Sequence, residues 1–457
     1  MIGGLVADLI SEAGAVNERR LLVLAGGRTT GRETLSQVLS TLDVDPARIP
    51  LVSDREGLGL NRVAPEHAGS LLGTTHPALV IDAHAGLSPN AVGRVVGAVD
   101  GGGLLVLACP SLDAWPRQRD PADERLAVPP FDVSAVTGQF RRRFVQTLRA
   151  HPGIAIVDVD SGEVLRDGLT DPAPRLVDPQ IVVPTDASFP ISAYEACLTQ
   201  DQVDSLQSFE QLQTGPSAVV LEADRGRGKS SVAGIAAACL ALEGEQVTIT
   251  APGYRSAQEG FDRATELLNK VNALDHTPDD HSRELSLTSG GRITYRPPAA
   301  VDPSIPDVLI VDEAAAIGVP LLVSYLAADR VAFTTTIHGY EGTGRGFAVR
   351  FKDQLTNSEH TLTERSLAAP IRYAAGDPIE VWAFRALLLD AAPAVDQLVT
   401  EATPAIVTYR AVDGADLLED EPLLRELFGL LVLAHYRTEP DDLARLFDAP
   451  NIQIRIL

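Results

Sequence analysis

The chain has 457 residues and a net charge of −24 at neutral pH, and its length leaves room for two or three domains with substantial cores. Its three cysteines are widely spaced, which excludes a disulfide framework or a zinc pattern and favours a reducing, cytoplasmic location. No apolar run is long enough to span a bilayer and no signal peptide opens the chain, so we expect a soluble protein without a membrane partner.

The acidity has an unusual form, because Lys229, Lys270 and Lys352 are the only lysines and arginine supplies the remaining positive charge. Abundant carboxylates combined with few lysines indicate a halophile protein, adapted to molar salt. At about 1 M salt the Debye length is only about 3 Å, so net charge has little influence on which partners bind. The negative charge therefore does not exclude a nucleic-acid partner, and local arginines would make the contacts.

The N-terminal part of the chain alternates apolar strands with helical stretches. After an amphipathic helix at Leu5–Ala15, buried strands are predicted at Leu21–Gly27, Ala78–Gly86 and Gly102–Pro110. This rhythm predicts an open parallel α/β domain, which we assign to residues 1–185 including a Pro- and Asp-rich linker. The glycine-rich turn Gly26–Gly31 lacks a Lys-Ser ending, so contact with a ligand is the less favoured interpretation there.

A glycine-rich loop follows a second apolar strand, Ala218–Leu221. Its glycines allow successive N–H groups to point at phosphate oxygens, and Lys229 opens a helix from which it can reach the β- and γ-phosphates of ATP. Ser230 is placed to ligate Mg²⁺. A Gly/Arg-rich surface turn is the alternative, and Ala223 departs from the usual pattern, which has glycine there. The predicted nucleotide contacts from this loop are Ala223, Asp224, Arg225, Gly226, Arg227, Gly228, Lys229, Ser230 and Ser231.

About eighty residues later, Val308–Val311 is an uninterrupted apolar run that ends in two carboxylates. Such a run is typical of a strand buried on both faces of a parallel sheet, and ligands bind beyond the carboxyl ends of these strands. Asp312 is predicted to hold Mg²⁺ through water, and Glu313 to orient or deprotonate the attacking water. The alternative is a strand that simply ends in acidic residues. Together the two motifs predict a RecA-like P-loop ATPase domain over residues 186–395.

Gln202 lies upstream of the loop, in the first turn of a predicted helix. A glutamine at this place in a helicase-like domain can form two hydrogen bonds with the edge of adenine, as amides do. The other interpretation is a capping box, with Thr199 as the N-cap and Gln202 three residues later. The two roles are compatible.

Three further groups are predicted to respond to the γ-phosphate. A strand delivers the hydroxyls of Thr335 and Thr336 to the nucleotide side, and the glycine-rich segment after it carries Arg345. Such a loop can reorganise on hydrolysis or lie against a nucleic-acid backbone, whereas a purely structural loop is the alternative. Arg372 follows the next apolar segment and is a candidate arginine finger, or else a salt-bridge partner.

The last part of the chain, residues 396–457, has a different character. We predict a strand at Ile406–Arg410, two amphipathic helices broken near Pro440, and a final strand at Ile452–Leu457. An ending on a strongly apolar strand is unusual and predicts that the chain is the front part of a longer protein.

The segments EADRGRGKS (222–230), VLIVDEAAAI (308–317), TTIHGYEGTGRGF (335–347) and PIRYAAGDPIE (370–380) resemble the family of archaeal tRNA(Met) cytidine acetyltransferases. In that family an RNA-helicase-like ATPase module precedes an acetyltransferase module of the GNAT type. The resemblance implies formation of N4-acetylcytidine at the wobble position of elongator tRNA(Met), with ATP, Mg²⁺ and acetyl-CoA. It carries Gln202, the loop from Ala223 to Ser230 and Arg372 over as ATP contacts.

The resemblance also has a large departure. The glycine-rich loop that grips acetyl-CoA and the tRNA-binding tail of the family are not found, so residues 396–457 match only an incomplete α/β start of the GNAT-like module. We therefore expect the acetyl-transfer site to lie beyond this chain, with acetyl-CoA bound by the full-length parent only. No residue for acetyl transfer carries over.

Two other functions remain open at this stage. A superfamily 1 DNA helicase would need a second RecA-like domain after Arg372, where the sequence changes character instead, so no DNA partner is expected. A nucleotide-gated scaffold is the second alternative. It would bind RNA and lend its ATP site to a separately encoded acetyltransferase, without catalysing a reaction itself. The sequence does not predict the oligomeric state.

Overall fold

The computed structural model describes residues 2–170, 181–276, 283–336, 351–391, 402–434 and 438–457. The strands are β1 Arg20–Ala25, β2 Pro50–Val52, β3 Asn61–Val63, β4 His76–Asp82, β5 Val99–Cys109, β6 Ile154–Asp158, β7 Glu163–Arg166, β8 Ser217–Ala223, β9 Gln246–Thr250, β10 Glu284–Ser286, β11 Arg292–Tyr295, β12 Val308–Val311, β13 Arg330–Thr336, β14 Thr361–Leu367, β15 Arg410–Val412 and β16 Ile454–Ile456.

The α-helices of the described ranges are α1 Ile2–Val16, α2 Arg28–Thr41, α3 Pro89–Val95, α4 Pro121–Leu126, α5 Gln139–Ala150, α6 Ile191–Tyr194, α7 Gln200–Phe209, α8 Lys229–Leu242, α9 Tyr254–Lys270, α10 Val319–Ser324, α11 Lys352–Thr356, α12 Pro378–Leu387, α13 Gly414–Glu419, α14 Glu421–Ala434 and α15 Pro440–Asp448. None of those we can describe is long and apolar enough to cross a bilayer.

The chain forms two compact units, and the second is inserted in the sequence of the first. The first unit contains residues 1–176 and 372–457, and the second contains residues 177–371. The predicted division at 185 and 395 describes successive sections of sequence, whereas the compact units group the two ends of the chain together. The section 396–457 accordingly belongs to the same unit as the N-terminal sheet.

The first unit is built on a seven-stranded sheet of order β3-β2-β4-β5-β1-β6-β7, in which only β6 and β7 are antiparallel. All six residues of β1 are buried, as the apolar run Leu21–Ala25 requires when helices cover both faces of a parallel sheet. The predicted open parallel α/β fold is confirmed. The carboxyl ends of β1, β2, β4 and β5 lie along one edge of this sheet.

The C-terminal segment packs on the N-terminal sheet domain rather than standing apart. The Asp448 carboxylate accepts a hydrogen bond from the Gln139 N–H at 2.6 Å, and Arg143 of α5 pairs with Glu421 at 2.8 Å. The two predicted helices are present as α14 and α15. The strand predicted at Ile406–Arg410 is wrong in its position, because Ile406 is exposed and pairing with β16 begins only at Arg410.

The second unit has a sheet of order β10-β11-β9-β12-β13-β8-β14, parallel throughout except at β10–β11. Alternate residues of each central strand enter two separate cores. Val219 and Leu221 pack under α8 and α9, whereas Val220 and Leu309 pack on the other face with Phe333. This three-layer α/β arrangement, with the glycine-rich loop after β8, agrees with the predicted ATPase fold.

Helix α8 is held close to α9 by two glycines. A Cβ atom on Gly234 would lie 2.0 Å from the carbonyl oxygen of Gly260, so the two helix backbones touch there. Because α8 begins at Lys229, this contact also fixes the direction of the helix that carries the glycine-rich loop.

We expect Gly234→Ala to destabilise the second unit by about 2 kcal/mol or more, because a methyl group would force the two helix backbones apart. Gly4→Ala in α1 is the matched control, since a Cβ atom there meets nothing within 4 Å, and its melting temperature should be unchanged or slightly raised. Calorimetric melting of both variants checks the prediction. Equal melting temperatures for the two would contradict the close contact.

Candidate nucleotide-binding site

The carboxyl ends of three neighbouring strands meet at one edge of the second sheet. β13 lies between β8 and β12 and is parallel to both. Its last residue, Thr336, is opposite Ala223 at the end of β8. Lys229 follows β8 and Glu313 follows β12, so the sheet order brings together residues that are 84 positions apart.

The loop between β8 and α8 has the backbone needed to surround a phosphate group. Gly226 and Gly228 have φ angles of +74° and +84°, in the left-handed region that favours glycine. Gly228 is the N-cap of α8 and supplies no side-chain cap, so it leaves the first-turn N–H groups of the helix available to an anion. Arg227 is buried in this loop, and Arg225 lowers the pKa of Glu313 through its charge.

Lys229 forms an ion pair with Glu313 at 2.6 Å between Nζ and Oε1. The other oxygen of Glu313 accepts a hydrogen bond from the Thr336 hydroxyl at 3.1 Å. Glu313 also has a φ angle of +50°, a left-handed conformation that costs a non-glycine residue about 1–2 kcal/mol. Strained residues of this kind are concentrated at functional sites.

Asp312 is almost fully buried beside this pair. Its carboxylate accepts hydrogen bonds from the hydroxyls of Thr334 and Ser230, and its N–H donates to the Thr250 carbonyl at 2.7 Å. The site therefore contains two adjacent carboxylates, one held by hydroxyl groups and one held by an ammonium group.

The surroundings separate the pKa values of these carboxyl groups. Burial raises the pKa of Asp312, and the opposing charge of Lys229 does not fully offset it. Burial would raise the pKa of Glu313 as well, but its contact with Lys229 prevails and lowers that pKa. Neighbouring carboxyl groups whose pKa values are pushed apart are typical of acid–base sites.

Ser230 and Asp312 suit a magnesium ion. Mg²⁺ prefers hydroxyl and carboxylate oxygens, and a carboxylate as buried as Asp312 is stabilised by a cation. In the ranges we describe, no three His, Cys, Asp or Glu side chains form a metal cluster. Mg²⁺ would therefore complete its shell with water and phosphate oxygens, as it usually does.

Gln202 is fully engaged within the second unit. Its Oε1 accepts from the Leu198 N–H at 2.8 Å, and its Nε2 donates to the Arg227 carbonyl at 3.3 Å. Thr199 is the N-cap of α7, as expected, but the Gln202 side chain bonds to Leu198 rather than closing a capping box. Contact with adenine would thus require Gln202 to exchange these partners, and it remains a prediction.

Other predicted site residues are placed differently. The hydroxyl of Ser231 faces α9 and accepts from Arg263 at 3.1 Å. Thr335 does not face the acidic pair: its hydroxyl is buried without a hydrogen-bond partner among the described residues. Thr334 takes the place expected of Thr335, because side chains alternate along a strand and Thr334 shares a face with Thr336. That alternation is the signal that could have identified Thr334.

Two predicted arginines are not part of the described site. Arg345 lies outside the described residues. Arg372 belongs to the first unit, where its Nη2 donates to the Gly73 carbonyl at 3.4 Å. It has no ion pair with any residue that the structure describes, so the salt-bridge alternative receives no support there.

Two family profiles match the chain. Residues 3–159 match the description "tRNA(Met) cytidine acetyltransferase TmcA, N-terminal", and residues 220–390 match "RNA cytidine acetyltransferase NAT10/TcmA, helicase domain". The second match contains Lys229, Asp312, Glu313 and Arg372. The chain belongs to the TmcA family. The predicted resemblance is thereby confirmed.

Curated TmcA proteins align over nearly the whole chain. The tRNA(Met) cytidine acetyltransferase TmcA of Haloferax volcanii is 55% identical over 100% of this chain and 61% of its own length. That of Haloarcula marismortui is 56% identical over 98% of this chain and 58% of its own length. These source organisms agree with the expected adaptation to high salt. The chain spans about three fifths of the length of these TmcA relatives.

Likeness to solved structures is weaker. The large terminase of a thermophilic bacteriophage matches with a TM-score of 0.31 and 12% identity, over 41% of this chain and 49% of that chain. A superposition this partial says nothing about function.

The Lys229–Glu313 pair predicts a pH-dependent loss of stability in Lys229→Ala. Lys229 lowers the pKa of Glu313 and opposes the rise at Asp312, so removing it raises both folded-state pKa values. The stability that Lys229 provides is present when the carboxyl groups are ionised and is lost as the pH falls through their range. We expect Lys229→Ala to cost about 2 kcal/mol at about pH 7, and clearly less at about pH 4.5.

Lys270→Ala is the matched control, because Lys270 pairs with Glu195 at 3.2 Å where both side chains are more than half exposed. It should cost no more than about 0.5 kcal/mol at either pH. Urea denaturation at the two pH values measures both penalties. A Lys229→Ala penalty that is independent of pH would show that this ion pair does not stabilise the folded protein.

Proposed function

We propose that this chain binds ATP in the second unit and hydrolyses it with Mg²⁺, as the ATP-consuming part of a tRNA cytidine acetyltransferase. The observation that carries the proposal is the joining of Lys229, Glu313 and Thr336 at the ends of three parallel strands, beside the buried Asp312. Membership of the TmcA family supports the same interpretation.

The proposed binding step exchanges the partners of Lys229. The incoming β- and γ-phosphates would take the ammonium group from Glu313, while the N–H groups of the loop and of the first turn of α8 surround the phosphate oxygens. Other proposed contacts with ATP are Gln202, Ala223, Asp224, Arg225, Gly226, Arg227, Gly228, Ser230, Ser231, Thr336, Arg345 and Arg372.

When Lys229 leaves Glu313 for the phosphates, the basicity of Glu313 changes. Its pKa is held down mainly by that ammonium group, so once Lys229 turns to the phosphates the carboxylate becomes a stronger base. Glu313 is then suited to orient and deprotonate the attacking water, while Thr336 keeps its other oxygen in place. Mg²⁺, held by Ser230 and Asp312, would supply neutralisation of the developing phosphate charge. Arg372 is proposed as the arginine finger.

The proposed substrate of the complete protein is elongator tRNA(Met), whose wobble cytidine would receive an acetyl group from acetyl-CoA to give N4-acetylcytidine. Curated relatives carry the name tRNA(Met) cytidine acetyltransferase. A base in a stack must be turned out before its exocyclic amine can react, which costs a few kcal/mol. ATP hydrolysis in this chain would serve that rearrangement or the positioning of the tRNA, in the cytoplasm where tRNA is processed.

Glu313→Gln should bind ATP but turn it over at least about a hundredfold more slowly, because the amide cannot accept the proton of the attacking water. Lys229→Ala should instead lose ATP binding, since the phosphate charge is left poorly compensated. Fluorescent-nucleotide binding and phosphate release, both measured with Mg²⁺ in high salt, separate the two effects. Full turnover in Glu313→Gln would show that Glu313 is not the base, no turnover in the wild type would favour the nucleotide-gated scaffold, and equal loss of binding in both variants would contradict the division of roles.

Arg372→Ala is expected to lower ATP turnover at least about tenfold while leaving the melting temperature within a few degrees, since the only described contact of its side chain is one long hydrogen bond. Arg365→Ala is the control, because Arg365 is an exposed arginine on β14 of the ATPase unit. Phosphate release and calorimetric melting should be run on both. A large fall in melting temperature with turnover per folded molecule preserved would make Arg372 a structural residue.

A further inference from the structure

The first unit contains a cavity of about 390 Å³ beyond the carboxyl ends of its parallel strands. Residues that follow β1, β2 and β4 line it together with α2, and Ala108 of β5 forms part of its floor. Open α/β sheets bind their ligands in this crevice, and the volume falls within the range of small-molecule pockets. The glycine-rich turn Gly26–Gly31, which no step of the proposed ATPase uses, opens into it.

Three arginines line this cavity in a protein with an excess of 24 negative charges: Arg28, Arg32 and Arg55. Arg28 pairs with Asp82 at 2.9 Å. Arg32 and Arg55 are exposed, and neither forms an ion pair with any residue in the described part of the chain. Two carboxylates also line the cavity, and Arg28 neutralises one of them, Asp82. The negative charge of Glu56 then remains against the two positive charges of Arg32 and Arg55, so the cavity has a net positive charge.

Arg32 is positioned by the loop after β2. A Cβ atom on Gly57 would lie 3.2 Å from Arg32 Nη2, so the guanidinium group lies directly against the glycine backbone. The next residue, Leu58, has a φ angle of +58° and lines the cavity. A leucine held in the left-handed region is an outlier, and it directs an apolar side chain into the site at the cost of local strain.

Asp82 and His84 fix the other wall. His84 Nδ1 lies 2.9 Å from Asp82 Oδ1, and its Nε2 lies 3.1 Å from the Gly26 carbonyl. The wall is thus a hydrogen-bonded network that holds Arg28 at the rim of the cavity.

The helix N-terminus is not the anion contact here. Asp160 accepts hydrogen bonds from the Gly27 N–H at 2.9 Å and from the Thr30 hydroxyl at 2.5 Å, so a carboxylate already occupies the start of α2. An anion in the cavity would be bound by guanidinium groups, whose planar forks match phosphate oxygens. In molar salt only such direct contacts survive screening.

We propose that this cavity is a second nucleotide site, one that binds the phosphate group of a free mononucleotide through Arg32 and Arg55. The uncharged part of the ligand would lie on the apolar wall formed by Leu35, Leu51 and Leu58. A concave site of this size accepts a single nucleotide, whereas the convex backbone of an RNA helix cannot enter it. The proposal is independent of the ATPase assigned to the second unit.

The test is the number of ADP molecules bound by the full chain in equilibrium dialysis, with Mg²⁺ in molar potassium chloride. The wild-type chain should bind about two equivalents, Lys229→Ala about one, the Arg32→Ala/Arg55→Ala double variant about one, and the triple variant none. The double variant should lose at least about tenfold in affinity at this site alone and keep its ATPase rate. Arg142→Ala, which removes an exposed arginine of α5, is the matched control and should bind like the wild type.

Each alternative has its own outcome. If the wild type binds one ADP and Lys229→Ala binds none, the second site is overturned and the proposed ATP site of the second unit stands. If the wild type binds one ADP and only the arginine double variant loses it, nucleotide binding in the cavity is supported and the ATP site of the second unit is overturned. If a 5′-phosphorylated RNA decamer, and not ADP, loses affinity in the double variant, the cavity is an RNA contact and the proposal is wrong. Displacement of ADP by equimolar inorganic phosphate overturns the choice of a nucleotide.

Discussion

The salt bridge between Lys229 and Glu313 is the contact on which the organisation of the second unit depends. It joins the start of α8 to the end of β12 across the intervening strand β13, whose Thr336 completes the hydrogen bonding of Glu313. In this arrangement the ammonium and the carboxylate neutralise each other, which stabilises the site and keeps Glu313 a weak base. In the proposed mechanism a polyphosphate competes for the ammonium group, so ATP binding and the activation of Glu313 would be one event. The left-handed backbone at Glu313 adds strain, which is consistent with a group that has to change partners.

The sequence predicted the parts of the fold that depend on local patterns. Apolar runs such as Val308–Val311 identified buried parallel strands. The glycine-rich turn followed by Lys229 and Ser230 predicted where α8 begins, because such a turn leads directly into a helix N-terminus. Contacts between distant segments were less accessible. Thr334 was missed because only the pairing of β13 with β12 reveals which hydroxyls face Asp312. The exposed, strand-like run at Ile406–Arg410 was misplaced, since β-branched composition measures how well a residue fits a pleated surface, not whether a partner strand is present.

The acidic composition also explains where the positive charges lie. Screening in molar salt weakens exposed pairs but hardly affects buried ones. The arginines with several partners are accordingly inside: Arg143 donates to two carbonyl groups at the end of α12 and pairs with Glu421, and Arg141 pairs with Asp123 at 2.7 Å. Arg19 is entirely buried, pairs with Asp377 at 2.7 Å and lies over the ring of Tyr373. The interactions of Arg143 and Arg19 attach residues 372–457 to the N-terminal part of the first unit.

The insertion of the second unit within the first has a consequence for synthesis on the ribosome. Arg19 and its partner Asp377 are 358 residues apart, so the buried charge beside β1 lacks this counter-ion until residue 377 has emerged. At typical elongation rates that delay is roughly 20–70 s. Every residue of the inserted second unit is synthesised before then, whereas Arg19, just before β1, lacks its carboxylate partner until Asp377 is made. The segment that begins at Arg372 therefore completes the unit that the N-terminal sheet begins, and a ribosome that stalls between residues 176 and 372 would release that sheet without the partner of Arg19.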